Sequence, residues 1–273
     1  AAAAVDAGMS SEAMDGSLRA ALLWEHLGRP AQRAYAMLAR ASAFSVVGAL
    51  HDARACAEQA RDLARAAGDA RAEAYAWMAV ADACSARSPE STEAATAAWR
   101  LLGSAEGEDA ARAGARYVAQ GGVIDPDGVA RLDRLASSGG TAAQAEWWAE
   151  RARGSRRGEL AGRPSEILSH LARVARQRGP VAGKGRAMHE ARLLAESAGD
   201  GEAVRLFASE QARLASKVLA HVPAHLRESA SEVEWIVAGQ ARPEAGVSVG
   251  QARQLEGLVR GLARRDNLRG LLE

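Results

Sequence analysis

Two stretches of this chain can be laid on each other almost residue for residue: RAYAMLARA at Arg33–Ala41 and EAYAWMAVA at Glu73–Ala81. Tyr35 and Tyr75 fall 40 residues apart, inside the period range of repeats in which each unit is one helical hairpin. A unit of that size cannot bury its apolar face alone, so the repeat constrains the chain to a stack in which neighbours cover one another. Such a stack is expected to be elongated, each unit touching only the next.

Composition supports helices packed closely. Hydrophobic residues make up 48% of the chain but aromatics only 4%, so alanine supplies much of the apolar surface. Alanine has the best helix propensity, and its small side chain lets helix axes approach. Glycine and proline break the chain at helix-sized intervals, at Gly28-Arg29-Pro30, Gly48, Gly68-Asp69, Ser88-Pro89, Gly103, Gly121-Gly122, Gly139-Gly140, Gly162-Arg163-Pro164, Gly179-Pro180, Gly199-Asp200-Gly201 and Pro223. Glycine just past one helix and proline in the first turn of the next is the punctuation of short helix-to-helix turns. Between breaks the apolar spacing is helical. Ile167, Leu168, Leu171, Val174 and Ala175 form one stripe, Val204, Phe207, Leu214 and Val218 a second, and Leu255, Leu258, Val259 and Leu262 a third.

On these residues the chain resembles the tetratricopeptide-repeat family. GALHDARACAEQARDLARAAGD, Gly48–Asp69, looks like the second half of such a repeat, with Gly48 in the turn, Ala53 and Ala60 at the small positions and Ala57 where the family usually has an aromatic. The next unit, Ala70 to Gly103, has Pro89 in place of the turn glycine, Ala94 as the small residue and Trp99 nearby. The likeness is clear over residues 31–140 and looser to 222. Unit lengths drift, so Tyr117 leaves the register of Tyr35 and Tyr75. The resemblance implies an all-α fold, a right-handed α-solenoid of antiparallel helical hairpins. It divides the chain into an N-terminal capping helix (1–30), repeats (31–222), and C-terminal capping and connector helices (223–273). LVRGLARRDNLRGLLE, Leu258–Glu273, is similar to the connector leaving the repeat array of large multidomain bacterial regulators of the sigma-54-dependent activator or kinase type. The opening AAAAVDAGMS lacks a charged n-region and does not read as a signal peptide; the expectation is a piece of something larger.

Charge narrows the partners. The chain carries 35 basic and 34 acidic residues, with Lys184 and Lys217 its only lysines. Residues 1–140 hold 14 basic and 18 acidic groups and the remainder 21 and 16, so the second half is mildly basic, far from the strongly basic face of a dedicated nucleic-acid binder. No run approaches the roughly 18 consecutive apolar residues of a membrane span. Cys56 and Cys84, without CxxC spacing, read as buried reduced thiols. A cytoplasmic protein with no membrane partner is expected.

The search for chemistry yields no catalytic centre, metal site or cofactor site. GPVAGKGRA, Gly179–Ala187, is one residue short of a phosphate-binding loop and lacks the hydroxyl residue after Lys184; it reads as a glycine-rich loop between helices. Pro223 breaks the helix that would align His221 with His225. DPDGVARLD, Asp125–Asp133, lacks the ligand order of a calcium loop and reads as a helix-capping turn. Trp147 and Trp148 point about 100° apart on a helix, so one is expected in the core and the other over a hairpin junction or partner site. Arg151, Arg153, Arg156, Arg157 and Arg163 follow, either as a solvated face or as a patch for an acidic peptide or nucleic acid.

The expected function is a non-catalytic protein–protein interaction scaffold, the regulatory repeat segment of a larger bacterial signalling or transcription-regulatory protein. Its partner would be a protein, a peptide or a neighbouring domain of the same polypeptide. The resemblance assigns the groove to Tyr35, Leu38, Ser42 and Ser45 in one unit and Tyr75, Met78, Asp82 and Ser85 in the next. Trp147, Trp148, Arg151, Arg156 and Arg157 form a second candidate patch. The alternative is a nucleic-acid-contacting helical module using the arginine-rich region 151–186.

Overall fold

The computed structural model describes residue 4 and residues 8–240. Among these residues there are thirteen α-helices and no strand: α1 (Ser10–His26), α2 (Pro30–Val46), α3 (Leu50–Ala67), α4 (Ala70–Ala83), α5 (Pro89–Leu102), α6 (Glu108–Ala119), α7 (Pro126–Ser138), α8 (Thr141–Arg157), α9 (Pro164–Arg176), α10 (Val181–Ser197), α11 (Gly201–Leu219), α12 (Arg227–Ala230) and α13 (Glu234–Gln240). The connector assigned to Leu258–Glu273 and the stripe beginning at Leu255 lie outside the described residues.

The helices begin and end where the sequence punctuates. Asp69, Ser88, Asp125 and Asp200 each accept a hydrogen bond from the backbone N–H three residues on, satisfying donors that a first turn leaves unpaired. Pro89 and Pro126 then occupy the first turns, where proline loses nothing. Asp125 is thus a capping residue, as its motif predicts. Gly68 ends α3 in the left-handed region at φ 67°, a conformation glycine adopts without penalty.

Each helix from α1 to α10 packs on the next, α11 packs on α13, and α2, α4, α6, α8 and α10 also pack on one another in succession. These five therefore form an inner row, with α3, α5, α7, α9 and α11 outside it. Alanine makes the close approach possible: Ala57, Ala60, Ala64, Ala72 and Ala76 are fully buried where α2, α3 and α4 meet, and Ala74 where α4 meets α5 and α6. The largest fully buried side chains, Trp147, Phe207, Leu132, Ile167 and Leu171, all come from α7 to α11.

Two expectations are corrected. The first is elongation, because the two ends of the stack meet. The Ser11 N–H donates to the His221 carbonyl at 3.3 Å, and Met14, Val46 and Val47 share one hydrophobic cluster with Val218, Val222, Leu226 and Ala230. The turn at Gly48 sits so close to Ser229 that a Cβ there would lie 2.5 Å from its carbonyl oxygen. The second is the glycine-rich loop at Gly179–Ala187, which is mostly the first two turns of α10. Its glycine is a seat: a Cβ on Gly185 would come within 2.4 Å of the Trp235 ring. Lys184 is buried, and its Nζ donates to the carbonyls of Ala175 and Gln177 at 2.9 and 2.8 Å. It therefore closes the C-terminal end of α9, where backbone carbonyls lack partners.

Candidate functional site

The inner row and the C-terminal segment enclose an open cavity of about 650 Å³. Its first wall is α2, which presents Tyr35, Leu38, Ser42 and Ser45 at helical spacing; α4 continues it with Tyr75, Met78 and Asp82. Seven of the eight residues that the repeat register assigned to a groove thus line one cavity. Ser85 does not. Helix α4 ends at Ala83, and Cys84 is already extended, so Ser85 leaves the helical face and is exposed.

The other walls were missed in the sequence. Arg112 and Arg116 come from α6, Glu146 from α8, Gly183 and Arg186 from α10, and Val233 and Trp235 from the segment after α12. The charged groups are joined across helices. Arg112 holds Glu146 through Nε and Nη2 at 2.8 and 3.2 Å. Arg116 reaches the same carboxylate at 2.5 Å and Asp82 at 2.9 Å. The Tyr75 hydroxyl donates to Asp109, which Arg71 also grips at 2.7 Å, and the Arg112 guanidinium lies 4.8 Å from the Tyr75 ring centre. A signal for these partners existed: Tyr75–Asp109, Asp82–Arg116 and Arg112–Glu146 are each separated by 34 residues, as is Arg156–Glu190 on α8 and α10. Complementary side chains recurring at one separation tie successive inner helices together.

Burial alone would raise the Glu146 carboxyl, but Arg112 and Arg116 overcome it and hold the group far below the ordinary carboxylate range. One turn along α8, Glu150 goes the other way: burial raises it, Glu190 adds to the rise, and Arg153 opposes it only in part. Burial likewise raises the Tyr75 hydroxyl. Of the cavity guanidiniums, Arg186 is the loosely held one, about half exposed and 4.0 Å from Asp82. The site therefore offers an apolar floor at Leu38, Met78, Ala79 and Val46, hydroxyls at Tyr35, Ser42 and Ser45, and a cation at one side. Among the described residues no group of three or more His, Cys, Asp or Glu could hold a metal ion.

The second candidate patch is corrected. Both Trp147 and Trp148 are buried. The 100° argument assumes a helix that rests on one neighbour, whereas α8 is packed by α6, α7, α9 and α10 together. Trp147 donates from Nε1 to Asp133 at 2.7 Å, and Trp148 stacks on His170 with centroids 3.7 Å apart. Arg151 is buried too, donating to the Ala161 carbonyl at 2.7 Å and pairing with Asp133. Arg153 and Arg156 are tied to Glu190 at 2.9 and 2.8 Å, while Arg157 is exposed. Within region 151–186, then, Arg151, Arg153, Arg156 and Lys184 serve the interior or intrachain pairs.

With this geometry in hand, comparison with known proteins finds no matching family model, no matching curated protein and no matching solved structure. Among the described residues no helix is long and apolar enough to cross a membrane.

Proposed function

We propose that the chain is a non-catalytic protein-interaction scaffold of the tetratricopeptide type, acting in the cytoplasm as the repeat segment of a larger bacterial signalling or transcription-regulatory protein. The observation that carries this reading is the convergence on one cavity of Tyr35, Leu38, Ser42, Ser45, Tyr75, Met78 and Asp82, residues that share nothing in the sequence but their place in the repeat register. Pre-formed concave sites with an apolar floor and a few placed polar groups are where ligands bind. The interhelical ion pairs hold the inner row rigid, so a partner segment meets a surface already in its bound form, which lowers the entropic cost of association. The partner is a protein or peptide segment, or a neighbouring domain, that inserts an apolar side chain over Leu38 and Met78 and sets a polar group between Ser42 and Arg186.

A peptide-display selection against the purified chain tests this. Enriched peptides are expected to share an apolar anchor and to lose about tenfold or more in affinity with Met78→Arg, since central buried contacts dominate interfaces. The same peptides should bind a Val123→Asp control normally. Selected peptides that ignore Met78→Arg would overturn the assignment of the cavity.

A further inference from the structure

The charged groups that α4, α6, α8 and α10 turn to the cavity form one chain of ion pairs: Arg112 to Glu146 at 2.8 Å, Glu146 to Arg116 at 2.5 Å, Arg116 to Asp82 at 2.9 Å, and Asp82 to Arg186 at 4.0 Å. Three guanidiniums thus meet two carboxylates. Arg112 and Arg116 occupy both carboxylates at close range, so the surplus charge rests on Arg186, the end of the chain, whose side chain is 47% exposed. Glu150 feels the same guanidinium but is held by Arg153 at 3.1 Å. Glu232, the remaining charged residue of the lining, is exposed, and water weakens its field.

Much of the remaining lining is apolar, from Leu38, Val46, Leu50, Met78, Ala79 and Trp235. Trp235 is fixed in place, with its ring on Gly185 and its carbonyl accepting from Gln211 Nε2 at 2.7 Å. A groove open along its whole length suits an extended chain. Here residues 229–235 add a further wall, and the volume of about 650 Å³ is that of a small-molecule pocket. We infer that the cavity binds a small apolar molecule bearing one carboxylate, its body over Leu38, Met78 and Ala79 and its head on the Arg186 guanidinium. Burying the apolar body supplies the driving force. The carboxylate supplies the close counter-charge that Arg186 lacks, in the planar geometry a guanidinium matches with two hydrogen bonds. This site goes beyond the scaffold reading and does not depend on it. A peptide partner and a small acid use the same floor, so the acid competes with the peptide.

Fluorescence titration of the full chain with anilinonaphthalene sulfonate, an apolar probe with one anionic group, tests the proposal. The expected result is a saturable one-to-one complex that decanoate displaces, with decanol displacing it about tenfold less well, because a hydrogen bond to a charged group is among the stronger polar contacts. Arg186→Gln should remove the preference for decanoate over decanol while leaving circular dichroism unchanged, since Arg116 keeps Asp82. Ala79→Phe should fill the floor and weaken both ligands together. Absence of saturable binding, a preference for decanoate that survives Arg186→Gln, or binding indifferent to Ala79→Phe would each overturn the carboxylate site. Selected peptides that still depend on Met78 would in that case leave the scaffold reading standing, and a decanoate complex in a chain that selects no peptides would do the reverse.

Discussion

Glu146 and Glu150 lie one turn apart on α8, yet their surroundings act on them in opposite directions. Glu146 is gripped by Arg112 and Arg116, and its depressed carboxyl contributes stability that is full above the unfolded value of about 4.3. That contribution is lost as pH falls through and below this value. Glu150 has the reverse sign: with its carboxyl raised, its contribution is present below about 4.3 and is lost as pH rises through the folded value. Replacing Glu146 with Gln leaves two guanidiniums short of a buried counter-charge and should cost about 3 kcal/mol at neutral pH. Glu150→Gln should leave stability unchanged or slightly raised, because Arg153 keeps Glu190. Denaturant unfolding of both variants at pH 7 checks the contrast; equal losses would mean that the two carboxylates share one environment. The residue types were visible in the sequence, and so was the 34-residue separation of Arg112 from Glu146. Their burial was not, since it depends on where α4, α8 and α10 bring their faces.

Among elements, α3 shows how far local pattern reaches. Ala53, Ala57, Ala60 and Ala64 recur at helical spacing, and all four are buried against α2 and α4. The hairpin register read from Gly48, Ala53 and Pro89 therefore matches the helices that form. Ala53→Leu or Ala94→Leu inserts methylene groups where helices cross, and each should lower stability by about 1–3 kcal/mol. Thermal melts of the two variants measure this; unchanged melting in both would show that these positions are not crossing points. Helix α8 marks the limit of the same reasoning. On a helix packed by four neighbours, residues 100° apart can both be covered, so the angular separation of Trp147 and Trp148 carries no information about their exposure. Similarly, the glycines near Lys184 signalled a loop by composition, whereas Gly185 is small because Trp235 from a distant segment lies on it.

At the scale of the molecule, the decisive feature is that the first hairpin touches the last. Gly48 stands at that seam with φ 73°, and an added Cβ would lie 2.9 Å from Val233 as well as against Ser229. Gly48→Val should strain the turn and part the seam while leaving the helices intact. We expect unchanged helical circular dichroism, faster hydrogen exchange over residues 224–240, and a radius of gyration larger than that of the parent chain by small-angle scattering. If exchange and radius both stay the same, the seam does not hold the ends together.

Helix positions, caps, hairpin lengths and the face that α2 and α4 turn to the cavity were legible because they depend on neighbours within one or two turns, where 3.6-residue periodicity and glycine and proline conformations act directly. The contact of α1 and α2 with residues 218–233, the cavity's far walls on α6, α8 and α10, and the burial of both tryptophans were not. Each depends on the small rotation from one hairpin to the next, summed over the whole stack. That rotation is set by how side chains from helices far apart in sequence pack together, and no local window contains it.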